Sequence, residues 1–141
     1  MNMYTALDIA KYIIDKCTRE NLAISNLQLQ KILYYVQKTF LQSEMEAFSD
    51  EIEAWQFGPV VPAVYYMYCG FGASAIRMRY TVDIRSDYIM IINPIVEQKR
   101  ILKPWDLVED THKPEKAWSK IYDNGFGDHR VIPKALIKER G

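Results

Sequence analysis

Apolar positions recur at helical spacing through the first third of the chain. Ala6, Ile9, Ala10, Ile13 and Cys17 fall at steps of three and four, while Asp8, Lys11, Asp15 and Lys16 lie mostly off that line, which predicts one amphipathic helix. Thr5 stands just before the stripe and Asp8 three residues further on, a pairing that satisfies the free N–H groups of a first turn. The helix is expected to end near Arg19. Ser25 and Gln28 repeat the signal ahead of a second stripe, Leu29, Ile32, Leu33, Val36 and Phe40, widened by Tyr34, Tyr35 and Leu41. A face this wide predicts a central helix packed on more than one side. Gln30 and Lys31 are assigned to its solvated flank.

Residues 42–50 are polar and connect. Ile52 to Phe57 shows no clear period, and Gly58-Pro59 then punctuates the chain, because Gly adopts backbone angles other residues avoid and Pro fixes its own φ. Val60 to Cys69 predicts a helix with Pro62 in its first turn, where the missing N–H costs nothing. Gly70 and Gly72 stop it. From Arg79 to Ile92 the period changes to two: Tyr80, Val82 and Ile84 alternate with Arg79, Thr81, Asp83 and Arg85, a turn follows at Arg85-Ser86-Asp87, and Tyr88 to Ile92 is β-branched and apolar. This predicts a hairpin, which must lie against the helices because a lone hairpin is marginal in water. Asn93-Pro94 is expected to open a short helix to about Ile101. Further short helices are expected over Lys103–His112, Glu115–Tyr122 and Pro133–Lys138, with a loop at Asn124-Gly125-Phe126-Gly127. The expected fold is mainly α (α+β): a compact multi-helix domain with one small β-hairpin. With no repeat or linker in sight, residues 1–141 are expected to form a single domain.

Composition narrows the function more than the fold. The chain has 141 residues, 49% of them hydrophobic, with 18 basic and 18 acidic side chains. Residues 1–96 hold eight Lys/Arg against ten Asp/Glu and residues 97–141 hold ten against eight, a polarity too weak to imply a nucleic-acid partner. Cys17 and Cys69 form no CxxC pair and no disulfide framework. Met1 to Thr5 lacks the basic start of a signal peptide, and no window approaches a membrane span. A cytoplasmic location is expected.

Catalytic and ligand signatures are missing from the sequence. Both cysteines read as small core hydrophobes. His112 falls at a helix end, where its charged form is favourable without any catalytic role, and His129 falls in a loop. No metal or cofactor motif is present: Asp50-Glu51-Ile52-Glu53 has no histidine near it, and Gly70-Phe71-Gly72 follows a helix instead of opening one. Aromatic surface is what remains. The chain carries ten tyrosines and three tryptophans, and Tyr65, Tyr66 and Tyr68 cannot all face inward on one short helix. Scattered surface rings and a binding patch account for them equally well.

The motif order identifies a family resemblance. Leu29-Gln30-Lys31-Ile32-Leu33-Tyr34-Tyr35-Val36-Gln37 is followed by Glu53-Ala54-Trp55-Gln56-Phe57-Gly58-Pro59-Val60-Val61-Pro62-Ala63-Val64-Tyr65, and later by Leu107-Val108-Glu109-Asp110-Thr111-His112 with Trp118. Together these resemble the Panacea-domain family, the phage-associated GepA-like or SocA-like proteins, from about Thr5 to about Ile137. The resemblance implies a mainly helical domain with a small β element and no enzymatic activity or cofactor. It implies the antitoxin of a toxin–antitoxin pair, often carried on prophages, that neutralises a protein toxin by direct binding. Some related members act as adaptors for proteolysis, which would add a protease as a partner. The toxin is expected to come from an adjacent gene.

Trp55, Phe57, Val60, Tyr65, Tyr66 and Tyr68 are the expected partner contacts, because aromatics dominate such interfaces. Gly58, Pro59 and Pro62 are assigned to backbone shape, and His112 and Trp118 to the shared motif. The segment between the expected hairpin and Leu107, Pro94 to Lys103, is shorter than the resemblance implies. Two alternatives come from other classes: a hydrolase using His112 with Asp110 or a cysteine, and a DNA-binding autoregulator using Lys99, Arg100, Lys103, Lys113 and Lys116 as one stripe.

Overall fold

The computed structural model describes residues 4–141; Met1, Asn2 and Met3 lie outside the described residues. Helix α1 runs Ala6–Arg19, and its reciprocal cap forms as the sequence requires. The Thr5 hydroxyl accepts from the Asp8 N–H, and the Asp8 carboxylate accepts from the Thr5 N–H at 3.0 Å. Helix α2, Asn26–Gln42, carries the same device between Ser25 and Gln28. Among the described residues α2 is the central element, packing against α1 and five of the elements introduced below.

The remaining elements are small. β1 (Glu53–Trp55) and β2 (Gly58–Val60) form an antiparallel hairpin with Trp55 opposite Gly58. β3 (Arg130–Val131) pairs with the other side of β1, giving the order β2-β1-β3. α3 (Pro62–Tyr68) follows the hairpin directly, with Pro62 in its first turn and Gly72 closing the short 3-10 turn after it. α4 spans Ser86–Lys99, α5 Pro104–Thr111, α6 Ala117–Tyr122 and α7 Lys134–Arg140. The helix α2 packs on α3, α4, α5, α7 and β2 as well as on α1.

Two expectations about secondary structure fail, because the local pattern does not decide the state of the segment. The first is the hairpin over Arg79–Ile92. The alternation from Tyr80 to Ile84 is real, since Ile84 is buried and Tyr80 and Val82 turn partly inward. The segment nevertheless pairs with no strand among the described residues. Its N–H groups find side chains instead: Met78 donates to the Thr18 hydroxyl, Tyr80 to Asp15 at 2.9 Å and Arg85 to the Tyr4 hydroxyl at 2.8 Å. The small hairpin of the fold is β1–β2, in the stretch where no period could be read.

The second failure follows from the first. Tyr88 to Ile92 is helical, not extended, and belongs to α4. A short apolar run is compatible with either state until packing decides, and here Ile92 and Val96 form the buried stripe while Tyr88 packs on Tyr4 and Phe40. Pro94 sits inside this helix instead of opening a new one. It removes the bond to the carbonyl four residues back, and both Pro94 and Met90 lie on the exposed side. The helical layer before Leu107 is therefore not truncated; it begins earlier than the sequence suggests.

Candidate functional site

The hairpin tip is held from beneath by side chains of α2. Lys31, expected on a solvated flank, is fully buried, and its ammonium donates to the Phe57 carbonyl at 2.5 Å. Gln30 is buried beside it. Its side-chain oxygen accepts from the Val61 N–H at 2.9 Å, and its amide nitrogen donates to Asn26, which in turn donates to the Tyr65 carbonyl. Helical position alone put these residues on the flank; buried backbone polar groups, which must find partners, drew them inward. About two turns further along, Gln37 does the same for Ala47 and Phe48.

From the other side, the Trp118 indole donates to the Trp55 carbonyl at 2.7 Å. The His112 ring stacks on Trp118 with centroids 3.6 Å apart and planes 6° from parallel. Gly58 has φ +123°, a conformation open to glycine, and a Cβ there would run into the Lys31 ammonium. Pro59 and Pro62 follow it, in the strand and at the start of α3. The three sequence motifs thus converge on one β-hairpin: Gln30 and Lys31 from the first, Trp55 to Val61 from the second, His112 and Trp118 from the third.

Charge in this region is constrained by burial. Desolvation pushes the Lys31 ammonium down to about 7. Burial also lowers the His112 imidazole, the Lys31 charge adds to the effect, and the Phe57 carbonyl partly offsets it. The His112 Nε2 is buried and makes no hydrogen bond. Asp110 does not serve it: its carboxylate accepts from the Tyr35 hydroxyl at 2.5 Å. Burial and that bond together raise the Tyr35 phenol. The pairing of His112 with Asp110 required for a hydrolase is not made.

The cysteines divide. Cys17 is buried on α1 as expected, but Cys69 is exposed, its thiol donating to the Tyr66 carbonyl. It sits where α3 gives way to a 3-10 turn and is not a core residue. The five cations of the DNA-binding alternative are not one free stripe: Arg100 is tied to Glu20 at 2.7 Å, Lys113 lies 3.7 Å from Asp110, and Lys99 rests over the Tyr35 ring. Among the described residues no group of three or more His, Cys, Asp or Glu is placed to hold a metal, and no helix is long and apolar enough to cross a membrane.

The outer face of the hairpin is aromatic. Trp55 lies half-buried, with Tyr65 edge-on at 4.9 Å, Tyr66 at 5.9 Å and the His129 ring stacked at 4.2 Å. Phe57 is 49% exposed and meets Trp105, itself 61% exposed, edge to face. Tyr66 is 62% exposed. Trp55, Phe57, Tyr65, Trp105 and His129 border a groove of about 540 Å³ whose wall also includes Leu27, Val60 and Asp128, while Tyr66 packs against Trp55 beside it. Of the expected contacts, Val60 lies buried in the groove wall and Tyr68 is withdrawn altogether: it is 1% exposed, and its hydroxyl bonds to that of Tyr80. A seven-residue helix cannot expose three tyrosines while burying Val64, and Tyr68, one turn from Val64, shares its inward face.

Trp105 and His129 are the members of this face that the sequence reading missed. For Trp105 a signal existed. It lies two positions, about 200° of helical rotation, from buried Leu107 and so projects to the opposite side of α5. For His129 there was none: it arrives through the pairing of β3 with β1, where its N–H donates to the Ala54 carbonyl at 2.7 Å.

Comparison with known proteins agrees with the motif order. The sequence profile described as "Antitoxin SocA-like, Panacea domain" matches residues 29–119, from the start of the first motif to the residue after Trp118. Antitoxin SocA of Caulobacter vibrioides (strain NA1000 / CB15N) is 36% identical over 151 aligned positions, which cover 94% of this chain and 79% of that one. No solved structure matches the chain significantly.

Proposed function

The chain belongs to the SocA-like, Panacea-domain antitoxin family, and from that premise we propose that it neutralises a protein toxin by binding it directly through the aromatic face around the hairpin tip. The observation that supports this reading is the division of the hairpin into two sides. Its inner side is consumed by the shared motifs, with backbone carbonyls of Trp55 and Phe57 bonded to Trp118 and Lys31. Its outer side presents Phe57 and Trp105, large rings that are more than a third exposed and border a groove, with the exposed Tyr66 ring packed against Trp55 beside them. Large exposed rings grouped in this way are unusual on a protein that has no partner, and buried aromatic anchors carry most of the energy of protein interfaces. An interface of standard size, about 1,600 Å² in total, takes about half from each side, more than the groove alone, so the surrounding surface of α3 and α5 belongs to the contact as well.

The family identity points to a non-enzymatic role in which the toxin is the natural partner, encoded next to the antitoxin and met in the cytoplasm. Co-expression with the product of the adjacent gene tests this. The expected result is rescue of growth together with co-purification in a stable complex. A harmless neighbour that fails to co-purify would remove the proposal. Direct masking and delivery to a protease are separated by the toxin's lifetime: masking leaves it intact and bound, whereas an adaptor shortens its lifetime in cells that contain the protease.

A further inference from the structure

Two carboxylates lie near Trp55, one of them, Asp128, in the groove wall. Glu53 accepts from the Trp55 indole N–H at 3.0 Å, and Asp128, which lines the groove, lies 3.0 Å from the Nδ1 of His129, the ring stacked on Trp55. Among the described residues of the groove wall, Lys31 is the one Lys or Arg. It is fully buried beneath the hairpin, with its donor directed to the Phe57 carbonyl. A ligand in the groove therefore meets Trp55, Phe57, Tyr65 and Trp105, the exposed His129 ring stacked on Trp55, and one exposed carboxylate, Asp128, on the other side of that ring's Nδ1.

We propose that this groove receives an arginine side chain presented on an extended segment of the protein partner, its guanidinium lying on the aromatic wall and paired with Asp128. This rests on the reading that the aromatic face is the toxin-binding surface. The charge pattern selects the ligand. Aromatic faces carry negative quadrupole density and attract cations, so an acidic or phosphorylated segment would meet repulsion both from the rings and from Asp128. A purely apolar side chain would cover the rings but make no use of the Asp128 carboxylate, whose neighbour His129 leaves it room for a second donor. Arginine answers both requirements: its planar, weakly hydrated guanidinium stacks on rings and presents a fork of donors to a carboxylate. Lysine carries the same charge as a compact, strongly hydrated ammonium, which gives up more hydration to enter such a wall.

The indole N–H signals of the full chain, followed by NMR, provide the test. The probe is a capped tripeptide, acetyl-Gly-Arg-Gly-amide, compared with its citrulline and norleucine counterparts. The expected result is saturable movement of the Trp55 and Trp105 signals, with far smaller movement of Trp118, whose N–H is tied to the Trp55 carbonyl. The arginine peptide should bind at least about fivefold tighter than the citrulline peptide. Asp128→Asn should erase that preference. Trp105→Ala, at an exposed position that the fold does not need, should weaken binding of the arginine peptide. Equal binding of the citrulline or norleucine peptide, no saturable movement with any of them, or an undiminished preference in Asp128→Asn would overturn the assignment. Capture of the adjacent-gene product is scored separately. If Asp128→Asn captures it undiminished while Trp105→Ala does not, the arginine assignment falls and the toxin-binding reading stands. If the wild-type chain captures nothing, that reading falls while the tripeptide titration still decides the arginine site.

Discussion

Gly58 leaves open the space that the Lys31 ammonium fills. The two residues belong to different sequence motifs, 27 positions apart, and each makes sense only in the presence of the other. Lys31 needs a backbone carbonyl at the hairpin tip to satisfy it, and the tip can approach only because residue 58 has no side chain and tolerates φ +123°.

Gly58→Ala is therefore expected to destabilise the protein by about 2–4 kcal/mol, combining strain at positive φ with disturbance of a buried charged hydrogen bond. Urea denaturation monitored by tryptophan fluorescence measures it. A loss below about 0.5 kcal/mol would mean that the tip has room to move.

Lys31 also sets a pH dependence. Its folded-state pKa is pushed down to about 7 from an ordinary 10.5. Between those values the unfolded chain holds the proton that the folded chain has released, so stability rises with pH across that window and falls as pH drops toward 7. The wild-type protein should gain about 2 kcal/mol between pH 7 and pH 9 relative to Lys31→Met, in which that titration is gone. Parallel urea titrations of the two proteins make the comparison. Identical slopes would show that Lys31 keeps its charge when buried.

Trp118→Phe removes the indole donor from the Trp55 carbonyl while keeping an aromatic ring against His112. A buried acceptor left without its partner costs about 1–3 kcal/mol. Amide hydrogen exchange should show the loss concentrated in β1 and β3 and not in α1, which a general weakening of the core would affect equally.

The outer rings should behave in the opposite way. Tyr66→Ala and Trp105→Ala, both on exposed positions, are expected to change stability by less than about 0.5 kcal/mol and to reduce capture of the toxin. Tyr68→Ala, buried and hydrogen-bonded to Tyr80, is expected to cost about 3–5 kcal/mol and to affect binding only through loss of folded protein. Thermal unfolding and co-purification on the same three variants separate the two cases.

Local information determined the parts of this fold that are local. Both N-terminal helices, their reciprocal caps at Thr5 and Ser25, the proline start of α3 and the order of the shared motifs were legible because capping, 3.6-residue periodicity and fixed proline geometry act within a few residues of chain. Two decisions belonged to the tertiary structure alone. Tyr88 to Ile92 became helix because Tyr4, Phe40 and the α2 surface gave its apolar residues a face to pack on, and preceding N–H groups that would have built a ladder were taken by Asp15, Thr18 and Tyr4. Lys31 and Gln30 became buried because the hairpin, an element too short to show any period, needed partners for the Phe57 carbonyl and the Val61 N–H. Pairing these backbone groups offsets part of the cost of burying the polar side chains that reach them. That balance depends on residues far apart in the chain, which no window of sequence contains.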